Sequence, residues 1–189
     1  RGPHGAAGAG TQPVRTRVVL ATRNAGKVAE LRRILSECDV ELVGLDAFPD
    51  IADIPETGTT FAENALIKAR EVSRASGLVA IADDSGLTVE ALNDMPGILS
   101  ARWAGRHGDD VANLELVLAQ LVDVPDERRG AAFVCAAAAA TPDGREVVVV
   151  EQLDGALRRA PRGHNGFGYD PIFVPTGESL TTAEMSPQR

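Results

Sequence analysis

The chain of 189 residues is 44% hydrophobic and 24% charged, and its formal net charge at pH 7 is -8. These values are typical of one globular domain with a sizeable core. The negative charge argues against nonspecific binding to nucleic acid, which depends on many lysine and arginine contacts, and no apolar run approaches the ~20 residues that cross a bilayer. We therefore expect a cytoplasmic protein that binds neither nucleic acid nor a membrane.

The N-terminal residues 1–16 show no apolar periodicity and contain a Gly-Ala-Ala-Gly-Ala-Gly run. We interpret this segment as a flexible leader or a remnant of cloning. Residues 17–189 then form a single domain.

A strand, a polar turn and a helix follow one another at the start of this domain. The run 18–21 predicts a strand, and the apolar residues of 28–35 recur at helical spacing. The turn between them, 22–27, ends in glycine and lysine and would present backbone N–H groups to a phosphate. Because Ala21 and Val28 occupy positions where a Walker loop has glycine and serine or threonine, we predict a phosphate loop of another kind. An ordinary strand–helix connection is the alternative.

A second strand is predicted over 40–43, and a helix begins after the N-cap Thr60, with Glu63 completing a capping box. The apolar stripe of this helix extends over 61–72. Lys68 lies at the edge of the stripe, where it either covers apolar surface with its stem or points into a cleft.

Two adjacent carboxylates, Asp83 and Asp84, follow the apolar run 78–82. We predict that the strand ends here, because Ser85 and Gly86 favour a turn and because open α/β sheets bind ligands at strand ends. Side chains alternate between the faces of a strand, so one carboxylate is expected to face a cleft. An ordinary polar turn is the alternative.

The second half of the chain predicts a short helix over 87–92, an amphipathic helix from Val111 and a hairpin that pairs 131–140 with 147–150. The stretch 163–171 is rich in glycine and contains two aromatic residues. Glycines allow a ligand to approach the backbone and aromatic rings can stack on a base, so this stretch is a candidate nucleoside pocket. A loop of purely structural turns is the alternative.

Short blocks in a fixed order resemble the family of inosine and xanthosine triphosphate pyrophosphatases, from about Val18 to the end. The blocks are LATRNAGK at 20–27, ETG at 56–58, FAENA at 61–65, KAR at 68–70, ADDSGL at 82–87, PG at 96–97, SAR at 100–102 and GFGYDP at 166–171. The resemblance implies an α/β fold with an elongated mixed sheet flanked by helices, two lobes and a central nucleotide cleft, normally in a homodimer. It implies conversion of non-standard purine nucleoside triphosphates such as ITP, dITP and XTP to the monophosphate and pyrophosphate.

The resemblance also implies roles for particular residues. Asp84 matches the catalytic carboxylate, Asp84 and Glu56 match the ligands of Mg²⁺, and Asp83 matches an additional carboxylate. The substrate-binding positions would be Thr22, Arg23, Asn24, Ala25, Gly26, Lys27, Lys68, Ser85, Phe167, Gly168, Tyr169 and Asp170. The two lysines would hold phosphate oxygens, while Phe167, Tyr169 and Asp170 would line the nucleoside pocket.

Two features depart from the family pattern. Arg23 stands where the family often has a small residue, and the sequence ends at Arg189 before the family's Lys and Ser-His-Arg segment, which contacts the base. Either the protein is truncated or the remaining residues lie outside this sequence. If it is truncated, we expect weaker base selectivity, while the phosphate and metal chemistry survives.

Two other functions remain open: a related pyrophosphatase for other modified or pyrimidine nucleotides, and a module that binds nucleotides without hydrolysis. A carboxylate beside a phosphate repels it unless a metal is present, which argues against the module.

Overall fold

The structure is a computed structural model that describes residues 15–186. Most of the predicted leader therefore lies outside the described residues, and Thr16 already belongs to the first strand. The elements are β1 (Thr16–Leu20), α1 (Ala25–Ile34), β2 (Val40–Gly44), α2 (Phe61–Ser76), β3 (Val79–Val89), β4 (Met95–Pro96), α3 (Asp110–Gln120), β5 (Gly130–Ala140), β6 (Glu146–Leu157) and β7 (Phe173–Pro175). Short 3-10 helices cover Leu35–Glu37, Leu45–Ala47, Glu90–Leu92, Gly97–Arg102, Asp126–Arg128 and Thr182–Glu184.

The strands form one mixed seven-stranded sheet in the order β2-β1-β3-β5-β6-β7, with β4 beside β3. β1 is parallel to β2 and β3, and the remaining pairs are antiparallel. This arrangement confirms the predicted fold class. Within residues 15–186, no helix combines the length and apolar character needed to span a membrane.

The long pairing of β3 with β5 corrects two predictions from the sequence. Its register is unbroken from Ala80–Ala140 to Val89–Ala131, so the strand passes through both carboxylates, and 87–89 is strand rather than helix. Ser85 and Gly86 favour a turn locally, but β5 supplies a partner along this whole stretch. Long-range pairing therefore overrides the local preference.

Two hydrophobic clusters cover opposite ends of the long strands. α2 packs over the first half of β3 in a cluster that contains Val19, Ala21, Leu45, Ala65, Ala69, Val72, Ala80, Ala82, Ala136, Ala138 and Ala140. α3 packs over the second half in a cluster that contains Leu87, Val89, Leu114, Val117, Leu121, Ala131, Leu157, Tyr169, Ile172 and Phe173. Ala82 and Leu87 are an odd number of positions apart in an unbroken strand, so their side chains point to opposite faces. The two helices therefore cover opposite faces of the sheet. The middle of β3 thus lies between two lobes, as expected.

The other edge of β3 is interrupted at the same place. β1 pairs with β3 as far as Ile81, and β4 pairs with it only from Thr88 onward. Between these two contacts, residues 82–87 have β5 on one edge and no strand on the other in the described part of the sheet. The carboxylates are therefore accessible to the loops that follow β1 and precede α2.

The start of α2 is fixed by local hydrogen bonds. Thr60 Oγ1 accepts from the backbone N–H of Glu63 at 3.1 Å, as the capping box predicts. The Glu63 carboxylate, however, accepts from the N–H and hydroxyl of Thr59 at 2.6 and 2.9 Å. The reciprocal half of the box is therefore displaced by one residue, and it ties the preceding loop to the first turn of the helix.

Candidate active site

Asp84 lies on the face of β3 that α2 covers and is 5% exposed. Its Oδ2 accepts a hydrogen bond of 3.1 Å from Nδ2 of Asn64. Its Oδ1 lies 3.7 Å from Nζ of Lys68, one turn further along α2. The helix therefore contacts both oxygens of this carboxylate, through an amide and an ammonium group.

Glu56 brings a second carboxylate to the same side. Its Oε1 lies 2.8 Å from Lys68 Nζ, and its Oε2 lies 3.4 Å from Arg102 Nη1. Lys68 thus stands between Glu56 and Asp84, with its side chain 14% exposed. Of the two interpretations of Lys68, the structure supports the lysine directed into the cleft.

Asp83 projects from the opposite face of β3, as the alternation of strand side chains predicts. Its Oδ2 lies 2.6 Å from Nζ of Lys27, while Ser85 Oγ is 3.5 Å from the same oxygen. Asp83 Oδ1 is buried and has no hydrogen-bond partner among residues 15–186. The site therefore contains two lysine–carboxylate pairs, one on each face of the strand.

The predicted phosphate loop connects β1 to α1. Asn24 is the N-cap of α1, since its Oδ1 accepts from the N–H of Lys27 at 3.2 Å, and Thr22 Oγ1 accepts from the N–H of Asn24. Ala25 and Gly26 begin the helix and are exposed, and the first N–H groups of a helix have no intrahelical acceptor. The loop therefore presents a helix N-terminus beside Lys27, which suits an anion.

Arg23 lies in this loop, but its side chain contacts another segment. Its Nε lies 3.0 Å from Asp53 Oδ1, and its Nη2 donates to the carbonyl of Ile51 at 2.5 Å. Arg23 therefore braces the loop before Glu56, and its contact with the substrate stays a prediction.

Phe167 joins the glycine-rich loop to the phosphate loop. A Cβ built on Gly26 would lie 3.7 Å from Cδ1 of Phe167, so the ring packs beside the first turn of α1. Phe167 is 49% exposed, which leaves surface for a stacking partner. Two segments that are far apart in the sequence thus meet at the cleft.

The neighbours of Phe167 have roles within the protein. Tyr169 is only 5% exposed, and its hydroxyl donates to the carbonyl of Ser100 at 2.8 Å; burial raises its pKa, so it remains protonated. Asp170 accepts from the N–H of Phe167 and from Thr182 Oγ1. Both side chains therefore hold the loop in place, and their part in lining the nucleoside pocket stays a prediction.

Gly168 completes the bracing of this loop. Its N–H donates to Asp110 Oδ2, in the first turn of α3, at 2.9 Å. The contact attaches the glycine-rich loop to the second lobe. Gly168 has no side chain, so it could take part in substrate binding only through its backbone. This contact fixes the position of that backbone.

Burial and neighbouring charges act differently on the two carboxylates. Burial raises the pKa of Asp84 and the charge of Glu56 raises it further, against opposing contributions from Lys68 and the Asn64 hydrogen bond. Burial also acts to raise the pKa of Glu56, but the hydrogen bond and charge of Lys68, with Arg102, outweigh it, so this pKa is lowered. Burial thus favours proton uptake by Asp84, whereas Lys68 and Arg102 favour the ionised form of Glu56.

The donor atoms of this site suit Mg²⁺, which prefers oxygen ligands and commonly uses one or two carboxylates together with water and phosphate oxygens. Asp84 and Glu56 share the contact with Lys68 and supply such a pair. No group of three or more acidic, histidine or cysteine side chains in the described range could hold a metal. The residues thus fit a metal shared with a phosphate ligand, rather than a closed protein cage.

Asn64 and Arg102 were not assigned roles from the sequence, although both contact the paired carboxylates. Asn64 could have been recognised from its spacing, because it precedes Lys68 by one helical turn within an otherwise apolar stripe. Arg102 is the last residue of the 3-10 helix Gly97–Arg102, far along the chain, and its pairing with Glu56 depends on the fold alone.

Two concave surfaces lie away from these residues. One of about 440 Å³ is lined by Asp126, Arg158, Arg162 and neighbouring residues, and one of about 200 Å³ lies near Arg70 and Glu146. Neither includes the lysine–carboxylate pairs. The candidate site is the open gap beside β3, where the charged groups converge.

The chain is similar to proteins of known family and fold. The sequence matches the model of the Ham1 family over residues 18–189. A dITP/XTP pyrophosphatase of Streptomyces coelicolor is 62% identical over 173 residues, which are 90% of this chain and 86% of that protein. A dITP/XTP pyrophosphatase of Mycobacteroides abscessus is 58% identical over 175 residues, 91% of this chain and 85% of that protein.

Solved structures show the same fold. The crystal structure of a nucleoside-triphosphatase / dITP/XTP pyrophosphatase from Mycobacterium abscessus matches with a TM-score of 0.79 at 58% identity, over 92% of this chain and 90% of that one. A HAM1 protein from Coxiella burnetii matches with a TM-score of 0.83 at 40% identity, over 92% of this chain and 88% of that one.

Proposed function

The chain belongs to the Ham1 family, and from this premise we propose that it hydrolyses ITP, dITP and XTP to the monophosphate and pyrophosphate with Mg²⁺. Relatives named dITP/XTP pyrophosphatase at 54% to 62% identity support a nucleoside triphosphate pyrophosphohydrolase. The finer choice of non-standard purines as substrates rests on those names. The choice of metal rests on the resemblance and on the oxygen donors of the site.

The observation that carries this proposal is the setting of Asp84. It is a buried carboxylate with a raised pKa, held by Asn64 and placed beside Lys68 in the gap between the lobes. A carboxylate in this setting can orient a water molecule and accept its proton. The water oxygen then forms a bond to the α-phosphorus, the bond from that phosphorus to the bridging oxygen breaks, and pyrophosphate leaves.

The cationic groups suit the remainder of the substrate. Lys27, Lys68 and the N-terminus of α1 lie on the borders of the gap, where they would bind phosphate oxygens and offset the charge that develops on the leaving group. When bound by Asp84 and Glu56, Mg²⁺ would add to this neutralisation. Both lysines pair with carboxylates in the described structure, so phosphate binding would exchange one anionic partner for another.

The nucleoside would lie toward the glycine-rich loop. Phe167 is half exposed and packs against Gly26, so a base stacked on its ring would be close to phosphates bound at α1. Ser85 and Thr22 would contribute neutral hydrogen bonds at the two sides of the gap. Tyr169 and Asp170 would act by holding the loop that carries Phe167.

We further propose that the protein acts in the cytoplasm as a homodimer, which the resemblance implies. Val147, Val149 and Leu153 lie on one face of β6 and are each about half exposed in the single chain. An exposed apolar row of this kind is common at contacts between subunits. Light scattering after size-exclusion chromatography would give the mass, and a monomer at micromolar concentration would contradict the dimer.

Hydrolysis in water enriched in oxygen-18 tests the position of attack. If Asp84 directs water to the α-phosphorus, the label enters the nucleoside monophosphate and pyrophosphate remains unlabelled. Label in pyrophosphate would mean attack at the β-phosphorus, and release of orthophosphate would mean attack at the γ-phosphorus. Either result would contradict the proposed reaction.

A further inference from the structure

We propose that Asn64 is a positioning residue, which orients the Asp84 carboxylate and fixes its position relative to the loop that carries Glu56. The inference rests on the proposed function in one respect, the role of Asp84 as the proton acceptor. The hydrogen bonds that define the bridge are independent of that role.

Asn64 is fully buried in the first turns of α2 and makes two side-chain hydrogen bonds. Its Oδ1 accepts from the N–H of Gly58 at 2.8 Å, and its Nδ2 donates to Asp84 Oδ2 at 3.1 Å. The backbone N–H can only donate and the ionised carboxylate can only accept, so the orientation of the carboxamide is determined by its two partners.

Gly58 shows how closely the loop approaches the helix. A Cβ added at this position would lie 2.7 Å from Cβ of Glu63 and 2.8 Å from Oδ1 of Asn64. Only glycine permits this approach without displacing one of them. The Gly58–Asn64 contact therefore sets where the segment leading back to Glu56 lies.

Asn64 and Lys68 hold the two carboxylates by different kinds of interaction. Lys68 joins Glu56 to Asp84 through charge, with distances of 2.8 and 3.7 Å. Asn64 joins the loop to Asp84 through directional hydrogen bonds one turn earlier. Asn64 occupies Oδ2 of Asp84. The other oxygen, Oδ1, faces Lys68, and it is therefore the one directed toward a water molecule or a cation.

The test uses a variant that removes one of the two hydrogen bonds. Asn64→Asp retains an oxygen for the N–H of Gly58 but places a second acceptor against Asp84, where the donor was. We expect kcat to fall by about 10- to 100-fold, as for other residues that orient a reacting group. KM should stay within about threefold, because the phosphate-binding lysines are unchanged.

A matched control is available in α3. Asn113 is also buried, and its Oδ1 accepts from the N–H of Ala104 at 2.7 Å. Asn113→Asp makes the same chemical change in a helix away from the carboxylates, so kcat per folded molecule should equal that of the wild type. Melting temperatures of both variants separate loss of fold from loss of positioning.

A second readout needs neither metal nor turnover. The side-chain NH₂ signals of Asn64 and Asn113 are assigned by NMR in the full chain, and Asp84→Ala is then introduced. We expect the Asn64 signals to shift and to exchange faster with solvent, while those of Asn113 remain.

The outcomes separate this inference from the proposed function. If the wild type releases no pyrophosphate, the proposed function fails, and the NMR measurement alone decides whether the bridge exists. Asn64 signals that do not respond to Asp84→Ala would overturn the inference. So would an Asn64→Asp protein that is less stable but has an unchanged kcat per folded molecule, because the role would then be structural.

Discussion

Replacing Asp84 with asparagine removes a charge with little change of shape. The new carboxamide oxygen can still accept from Nδ2 of Asn64, which lies 3.1 Å from Oδ2 in the wild type. Its NH₂ group then faces Lys68, whose Nζ lies 3.7 Å from Oδ1. Lys68 keeps Glu56 as an ion-pair partner. The packing of the site should therefore survive while the proton acceptor is lost.

The expected loss follows from the role of the carboxylate. General-base catalysis contributes about 10²- to 10⁴-fold, so kcat should fall by that factor, equivalent to roughly 3 to 5 kcal/mol in the barrier. The free energy of unfolding should change little, because a neutral amide can be buried without the cost of burying a charge. That cost is what raises the pKa of Asp84. Binding of a triphosphate without metal should be unchanged or tighter, since a repelling charge is removed.

Steady-state release of pyrophosphate from ITP measures kcat, and calorimetry without metal measures triphosphate binding. Glu115→Gln is a suitable control, because it removes the same charge from an exposed position on α3. A kcat for Asp84→Asn within tenfold of the wild type would refute the assignment of Asp84 as the proton acceptor. Equal losses in the control would show that the effect comes from net charge.

Three further changes test other parts of the site and fold. Lys68→Met should weaken binding of pyrophosphate by about tenfold or more in calorimetry, because a largely buried cation is lost; unchanged affinity would remove Lys68 from the phosphate site. Phe167→Ala should weaken nucleoside monophosphate binding by about 1 to 3 kcal/mol and leave pyrophosphate binding unchanged, and a parallel loss of both would contradict base stacking. Arg129→Met should lower the free energy of unfolding in urea by about 2 to 5 kcal/mol, because the buried guanidinium donates to three main-chain carbonyl oxygens, and a loss below about 1 kcal/mol would contradict this role.

Local patterns in the sequence predicted much of the framework. The strand–turn–helix at the start of the domain and the N-cap at Thr60 have strong local signals, and the structure contains both. Alanine favours a helix over 131–140, and the strand found there was predicted because 147–150 offered a hairpin partner. Lys68 was identified as a candidate because helical spacing places it beside an apolar stripe. These features depend on neighbouring residues, which a sequence displays directly.

Features that depend on distant partners were predicted less well. Asp83 and Asp84 lie in the middle of β3 because β5 pairs with it throughout, whereas Ser85 and Gly86 suggested a turn. The strand that ends beside them is β1, which stops pairing with β3 at Ile81. The two carboxylates therefore lie beside the end of a neighbouring strand instead of at the end of their own.

The directions of the side chains in the glycine-rich loop could not be predicted from the sequence either. Phe167 and Tyr169 have the same local surroundings, yet the first is half exposed and the second is buried against the second lobe. Their difference comes from Ser100 and Asp110, which lie far away in the chain and bind the loop. Spacing alone could not separate a stacking surface from an anchor.

The central claim is that this site hydrolyses non-standard purine nucleoside triphosphates with release of pyrophosphate. The most direct measurement incubates the protein with Mg²⁺ and ITP, dITP, XTP, dATP or dGTP, and resolves pyrophosphate from orthophosphate by ion chromatography. We predict pyrophosphate from ITP, dITP and XTP, with far slower release from dATP and dGTP. Orthophosphate as the product, or equal rates for all five nucleotides, would contradict the account.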